Sequence, residues 1–175
     1  MADEWQKLIK ATASLTRNGR KLSDQLLNLR GSVIHSYPHD DIIQRALILH
    51  VPDNRHYIQI LVNEINGSYR EGFYNATGAL LRRLFESLLI DALEKNLGKE
   101  STIDESGNRL TFEKLIEIAT ANLTLPRGSK KFLQDIKKLG NDAVHGPRSV
   151  LTKKDIDDHK RNIRKMFQEL TAIAY

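Results

Sequence analysis

The clearest separation of apolar and polar positions lies in residues 129–146. On a helix of about 100° per residue, one side of this stretch is apolar. That side carries Phe132, Leu133, Ile136, Leu139, Ala143 and Val144. On the other side, Lys138, Asn141 and His145 step by three and then four residues, so their side chains form one ridge. Gly140 lies toward the apolar side, where the missing side chain would let another helix approach closely. Gly146-Pro147 predicts that the helix ends directly after His145.

A second pattern predicts a long helix over residues 73–97. Its polar positions form a narrow arc made of Arg83, Ser87, Asp91, Glu94 and Lys95. Thirteen of the other twenty positions are Leu, Ile, Ala or Phe, so we expect this helix to be central and the most buried.

Arg82 and Glu86 interrupt the apolar side of this long helix. They are four residues apart, close enough to pair with each other. A buried charge is costly unless it is paired, so one interpretation is an internal ion pair that fixes the helix register. The other interpretation is that both side chains support or line a polar site shared with the Lys138–His145 ridge.

Weaker periodic segments complete an all-α prediction. Residues 54–70 form a helix, Thr111 caps another, and Thr152 with Asp155 resembles a capping box that starts the last helix. Helices are also predicted near residues 3–16 and 22–33, with a loop at 37–40. A short helix follows, capped by Asp40 or Asp41, running through Ile42, Ile43, Ala46 and Leu47 and ending before Pro52; residues 46–51 fit a strand as the alternative. The predicted architecture is a helical bundle, residues 54–175, preceded by an N-terminal helical extension, residues 1–53.

Composition narrows the class of protein. The 175 residues include no cysteine, which excludes disulfides, thiolate catalysis and a cysteine-based zinc site. No apolar run reaches the roughly 18 residues of a membrane span, and residues 1–7 do not begin a secretory signal, so we expect a cytoplasmic protein with no membrane partner. The formal net charge of +5 fits a phosphate-bearing partner such as nucleic acid, and it equally fits a solvated surface of mixed charge.

Two segments together resemble a known family. One is the long helix carrying Arg82-x-x-x-Glu86, and the other is Leu139-Gly-Asn-Asp-Ala-Val-His145. Both resemble the bacterial domain-of-unknown-function family 4145, which is similar to the HEPN (higher-eukaryote and prokaryote nucleotide-binding) superfamily. The resemblance covers about residues 54–173.

The resemblance implies a helical bundle that is usually a homodimer. Many active HEPN members are metal-independent endoribonucleases of toxin–antitoxin and other defence systems, so RNA and an antitoxin or defence protein are the implied partners. Their motif is Arg, four to six residues, then His. His145 matches the histidine and Asn141 the polar residue within the motif. Lys138 stands where the most distant Arg would be, and it lacks the planar fork of a guanidinium.

Metal-independent RNA cleavage needs a base for the ribose 2′-hydroxyl proton and a cation for the charged phosphorane. His145 is the candidate base, Lys138 or Arg82 the candidate cation, and Asn141 a group that orients the phosphate or the imidazole, with Arg82 and Glu86 in supporting roles. The structural alternative for His145 is a helix cap that bonds free carbonyls. No cofactor is expected, and the scattered His35, His39, His50 and His56 do not predict a metal site. Two functions therefore stay open: a HEPN-like ribonuclease, or a catalytically inactive dimeric module that binds a protein or nucleic acid.

Overall fold

The computed structural model describes residues 41–48, 51–146 and 150–175, which belong to one compact unit, Asp41–Tyr175. Its helices are α1 (Arg45–Ile48), α2 (His56–Arg70), α3 (Tyr74–Leu97), α4 (Phe112–Asn122), α5 (Ser129–His145), α6 (Lys153–Asp157) and α7 (Lys160–Ala174). Short 3₁₀ turns occupy Asp53–Arg55 and Lys99–Thr102. The described residues form no β-strand beyond an isolated bridge between Ile103 and Arg109, so the all-α prediction is confirmed. The predictions for residues 1–40 lie outside the described residues.

Helix α3 is the centre of the bundle, as predicted. It packs against α2, α4, α5 and α7. Its core side chains are fully buried, and they include Leu81, Leu84, Phe85, Leu88, Leu89 and Leu93. Phe85 meets Phe132 of α5 edge to face, with the ring centroids 5.2 Å apart. None of the described helices is long and apolar enough to cross a membrane.

The segment before α2 belongs to the same core. Ile42, Ile43 and Val51 are buried, and the amide of Asn66 on α2 bonds both the backbone N–H and the C=O of Ile43, at 3.1 and 2.8 Å. Residues 45–48 form helix α1, so the predicted short helix is present there and a strand is not, whereas Ile42 and Ile43 precede it and residues 49–50 lie outside the described residues. The compact unit therefore includes residues that the sequence pattern assigned to the N-terminal extension.

Both predicted helix caps are present. The Thr111 hydroxyl accepts a bond from the backbone N–H of Lys114, and Thr152 forms a capping box with Asp155. The helix that begins at Thr152 is not continuous, however. It stops at Asp157, and α7 begins at Lys160, so His159 precedes α7 instead of lying within one long helix.

Asp91 corrects the predicted solvent arc of α3. Its carboxylate is only 5% exposed. It accepts hydrogen bonds from the hydroxyls of Tyr57 and Tyr175, the latter at 2.5 Å, and lies 3.5 Å from the Arg55 guanidinium. The helical periodicity of α3 could not predict this burial, because the two tyrosines belong to α2 and to the end of the chain. They cover the polar arc of α3 at Asp91. Three polar groups replace the water that a carboxylate would lose on burial.

Candidate functional site

Helix α5 carries the three main candidate residues. Lys138 and His145 are exposed and Asn141 is half-buried. Seven residues turn a helix through about 700°, so Lys138 and His145 lie within about 20° of each other on one ridge, as predicted. The helix ends at His145, and the backbone N–H of Gly146 bonds back to the carbonyl of Asp142 at 3.2 Å.

Small residues bring α3 and α5 together. A Cβ atom added to Gly140 would lie 2.7 Å from Arg82 Cδ and closer still to Arg82 Cβ. A Cβ atom added to Gly78 would lie 3.4 Å from Ala143 Cβ. The residue numbers rise on α3 as they fall on α5, so the two helices are antiparallel. The prediction that Gly140 permits a close helix approach is confirmed.

Arg82 does not pair with Glu86. Both side chains are half-buried, and within the described residues no hydrogen bond or ion pair joins them, so the predicted internal ion pair is wrong. The physical reason is the path of the Arg82 stem, which runs over Gly140 toward α5 and not along α3 toward Glu86. Its Nε is buried and has no hydrogen-bond partner among the residues that the structure describes.

The stem of Arg82 meets α5 at Gly140, not on the ridge that carries His145. Gly140 faces Arg82, and five residues further on His145 points about 140° around the helix from that direction. Asn141 lies between the two, about 100° from Gly140. Glu86 lies one further turn along α3, away from the His145 end of the antiparallel pair.

Lys138 borders a groove of about 430 Å³ between α5 and the segment 151–159. We call it the Lys138 groove. Its charged lining residues are Lys131, Asp135, Lys138, Asp142, Asp155 and Asp158. Leu139, Leu151 and His159 complete the lining. Four aspartates against two lysines make this groove negative rather than basic.

The bonds of Asp155 favour its charged form. The hydroxyl and backbone N–H of Thr152 both donate to it and hold the pKa of the Asp155 carboxyl below its usual range. Asp135 and Asp142 were detectable from sequence, because they stand three residues before and four residues after Lys138. Asp155 and Asp158 were not, because only the tertiary packing of α6 brings them to α5.

The neighbouring cation on α5, Lys137, is already paired. It donates to the Glu113 carboxylate of α4, and this bond lowers the pKa of Glu113. The described residues contain no cluster of three or more His, Asp or Glu side chains arranged to hold a metal ion. Of the scattered histidines, His35, His39 and His50 lie outside the described residues.

Three exposed apolar side chains surround the His145 end of α5. We call Phe73, Val144 and Val150 the apolar end; they are 64%, 59% and 78% exposed. Phe73 immediately precedes α3, and Val150 precedes Leu151, whose backbone N–H bonds the Asn75 side chain at 2.8 Å. Val144 follows Ala143, which faces Gly78. All three therefore lie near the first turns of α3.

Comparison with models of protein families gives a match. The model of the family described as Domain of unknown function (DUF4145) matches residues 63–174, which contain all five candidate residues. No curated protein and no solved structure matches the chain significantly.

Proposed function

The chain belongs to the DUF4145 family of domains of unknown function, and from that premise we propose that it is a HEPN-like domain acting as a metal-independent endoribonuclease. In this proposal the protein is cytoplasmic, forms a homodimer and belongs to a prokaryotic defence or toxin–antitoxin system. RNA is its substrate, and an antitoxin or another defence protein is its partner. The bundle around α3 and the Asn141–His145 segment are the features that support the HEPN assignment.

The observation that carries the proposal is the state of His145. A capping histidine would bond the free carbonyls at the end of its helix. Within the described residues, the exposed His145 ring makes no hydrogen bond, and the last-turn carbonyl of Asp142 is instead bonded by the backbone N–H of Gly146. The ring is therefore accessible to a substrate, and histidine is the side chain best suited to exchange protons near neutral pH.

In the proposed reaction, a His145 ring nitrogen takes the proton of a ribose 2′-hydroxyl. The 2′-oxygen forms a bond to the adjacent phosphorus as the bond to the 5′-oxygen breaks. The products are a 2′,3′-cyclic phosphate and a 5′-hydroxyl, whose oxygen takes its proton from water. No oxidant, reductant or metal ion takes part in this step.

Two cations are available for the developing phosphorane charge. Lys138 shares the ridge of His145, but its attraction for a phosphate is opposed by the aspartates of the Lys138 groove. Arg82 has a guanidinium without a bond at Nε, but the crossing at Gly140 directs its stem to another side of α5. In the proposed reaction Lys138 is therefore the cation that stabilises the phosphorane within one chain, and Asn141 orients the phosphate.

An RNA cleavage assay in EDTA tests the proposal. The purified protein should cut labelled RNA and leave 2′,3′-cyclic phosphate ends, and His145→Ala should lose at least about 100-fold in rate, as expected for loss of a general base. His56→Ala is the matched control, because His56 is also exposed and bonds only its helix neighbour Gln59, at 3.3 Å. Equal rates for wild type and His145→Ala, or a rate that EDTA abolishes, would refute it.

A second candidate function is a catalytically inactive dimeric module that binds a partner. It is favoured by the negative Lys138 groove, which repels a phosphate, and by the apolar end, whose exposed side chains suit a protein interface. Wild-type protein that binds RNA or a partner but produces no cyclic-phosphate ends would support this candidate over the ribonuclease.

A further inference from the structure

A small cavity lies at the other end of α5, remote from His145. Its volume is about 250 Å³, and it is bounded by the connection before α5, the first turn of α5 and one side of α7. Sixteen residues separate Ser129 from His145, or about 24 Å along the helix axis. Whatever binds here does not share a site with His145.

The rim of this cavity is positive. Arg127 and Lys165 line it from opposite sides, together with the amide of Asn162. All three side chains are exposed, and none of the described residues that line the cavity is acidic. This distinguishes it from the Lys138 groove, where aspartates outnumber lysines.

The polar groups at the rim are available. Within the described part of the chain, Arg127, Asn162 and Lys165 make no side-chain hydrogen bond or ion pair. Lys137 and Arg109, in contrast, are engaged by Glu113 and Glu94. Two cations and an amide around one cavity, all without an internal partner, are therefore free to bind an anion.

The floor of the cavity is apolar and packed. Phe132 and Met166 are buried there at 6% and 5% exposure, and the Ser129 hydroxyl donates to the Pro126 carbonyl at 2.6 Å. Typical sites for drug-sized ligands measure about 300–1,000 Å³, so this cavity suits a smaller group. The rim selects negative charge, and the size selects a compact anion.

We propose that this cavity, the Arg127 cavity, binds a phosphate group, free or as the monoester of a small molecule. The Arg127 guanidinium offers a planar pair of donors that matches two phosphate oxygens, and Lys165 supplies a compact charge on the other side. The Asn162 amide donates to a further oxygen. The site is independent of RNA cleavage at His145.

Isothermal titration calorimetry on the full chain tests the site with inorganic phosphate and with adenosine 5′-monophosphate as probes, at constant ionic strength. We expect saturable binding of at least one probe. Arg127→Gln and Lys165→Gln should each weaken it by about tenfold or more, as loss of a charge-assisted hydrogen bond predicts. Because both side chains are exposed, neither change should prevent folding.

Lys95→Gln is the matched control, because Lys95 is exposed on α3 and does not line the cavity. It removes the same charge and should leave the affinity unchanged. Tighter binding of the nucleotide supports the site as one for a monoester, and tighter binding of inorganic phosphate supports it as one for the free anion. The proposal would be overturned if neither probe bound saturably, or if both Arg127→Gln and Lys165→Gln kept the wild-type affinity. It would also be overturned if Lys95→Gln lost as much affinity as those two variants.

Discussion

The side chain of Arg82 lies directly across Gly140, so no side chain of α5 stands between the two helices at that position. This contact explains why a glycine is present in the middle of an otherwise regular helix. It also explains why Arg82 is drawn toward α5 and away from Glu86. One packing relationship therefore sets both the spacing of the two central helices and the path of the arginine.

Gly140→Ala should destabilise the protein. The new Cβ would overlap Arg82 Cβ and Cδ. Because Arg82 Cβ is attached to the backbone and cannot swing away, this overpacking should cost about 2–3 kcal/mol, the upper part of the usual range, against the roughly 1 kcal/mol that Ala gains over Gly within a helix. We expect a net loss of about 1–2 kcal/mol in the free energy of unfolding, measured by urea denaturation. Gly67→Ala is the control, since nothing lies within 4 Å of a Cβ at Gly67 in α2, and it should stabilise by up to about 1 kcal/mol. A Gly140→Ala protein as stable as wild type would contradict the described crossing.

Arg82→Met should leave the free energy of unfolding unchanged or raise it by up to about 1 kcal/mol. Methionine keeps an unbranched stem over Gly140 and removes an Nε that is buried without a partner, a state that costs about 1–3 kcal/mol. Because Arg82 and Glu86 are not bonded, the effects of Arg82→Met and Glu86→Gln should add to within about 0.5 kcal/mol. Denaturant melts of the two single variants and the double variant measure this. If the effect of the double variant differed from the sum of the single effects by more than about 1 kcal/mol, Arg82 and Glu86 would be paired after all.

Sequence reasoning succeeded where one helix contains the information. The bounds of α3, the end of α5 at His145, and the caps at Thr111 and Thr152 depend on residues within a few positions of one another. It failed where the deciding partner comes from another helix. The paths of Arg82 and of the Asp91 carboxylate depend on Gly140, Tyr57 and Tyr175, none of which is a neighbour in sequence.

The candidate site shows the same division. The ridge of Lys138 and His145 follows from helical spacing, and the structure has it. The negative charge around Lys138 comes partly from Asp155 and Asp158 of another segment, so no periodicity of α5 predicted it. A resemblance to RNA-cleaving proteins predicts a basic surface here. Asp135 and Asp142 of α5 already oppose it in the sequence, and tertiary packing adds Asp155 and Asp158.

Tyr175→Phe should destabilise the protein by about 1–2 kcal/mol. It removes a hydrogen bond at 2.5 Å to the buried Asp91 carboxylate. A hydrogen bond to a charged group contributes about 1.5–3 kcal/mol, and the partial exposure of Tyr175 reduces this contribution. Tyr57→Phe should cost less, because Tyr57 is 37% exposed. Tyr74→Phe, at a half-buried tyrosine that packs on Tyr69, should change stability by less than about 0.5 kcal/mol. Urea melts measure the free energy of unfolding of each variant. An equal loss of stability in Tyr74→Phe and Tyr175→Phe would show that the hydrogen bond from Tyr175 to Asp91 contributes nothing of its own.

The same cluster predicts a loss of stability at alkaline pH. Partial burial and the bond to Asp91 raise the pKa of both Tyr57 and Tyr175 above the ordinary value of 10.0. The unfolded chain therefore loses these two protons at lower pH than the folded chain, so the stability they confer is complete below about pH 10 and falls as pH rises through the folded pKa values. Urea melts between pH 8 and pH 11 should show a decline above pH 10 that is shallower in the double variant Tyr57→Phe/Tyr175→Phe. Parallel pH profiles for wild type and double variant would remove the cluster as the cause.

The last prediction concerns the proposed dimer. If two chains associate through the His145 end, the ridge and the apolar end lie in or beside the interface, with the two Lys138 grooves near the two-fold axis. Each groove already carries two more aspartates than lysines. Lys138→Glu changes the formal charge by −2 in each chain, and therefore by −4 in the dimer. Self-association and RNA binding should both weaken by about tenfold or more at low salt, and much less at 1 M salt, where charges are screened beyond about 3 Å. Lys95→Glu makes the same change of charge at an exposed position in the last turn of α3, away from the His145 end, and should leave both properties unchanged. Sedimentation velocity at tens of micromolar measures the association, and a wild-type monomer, or a dimer that Lys138→Glu does not affect, would place the interface elsewhere or exclude it.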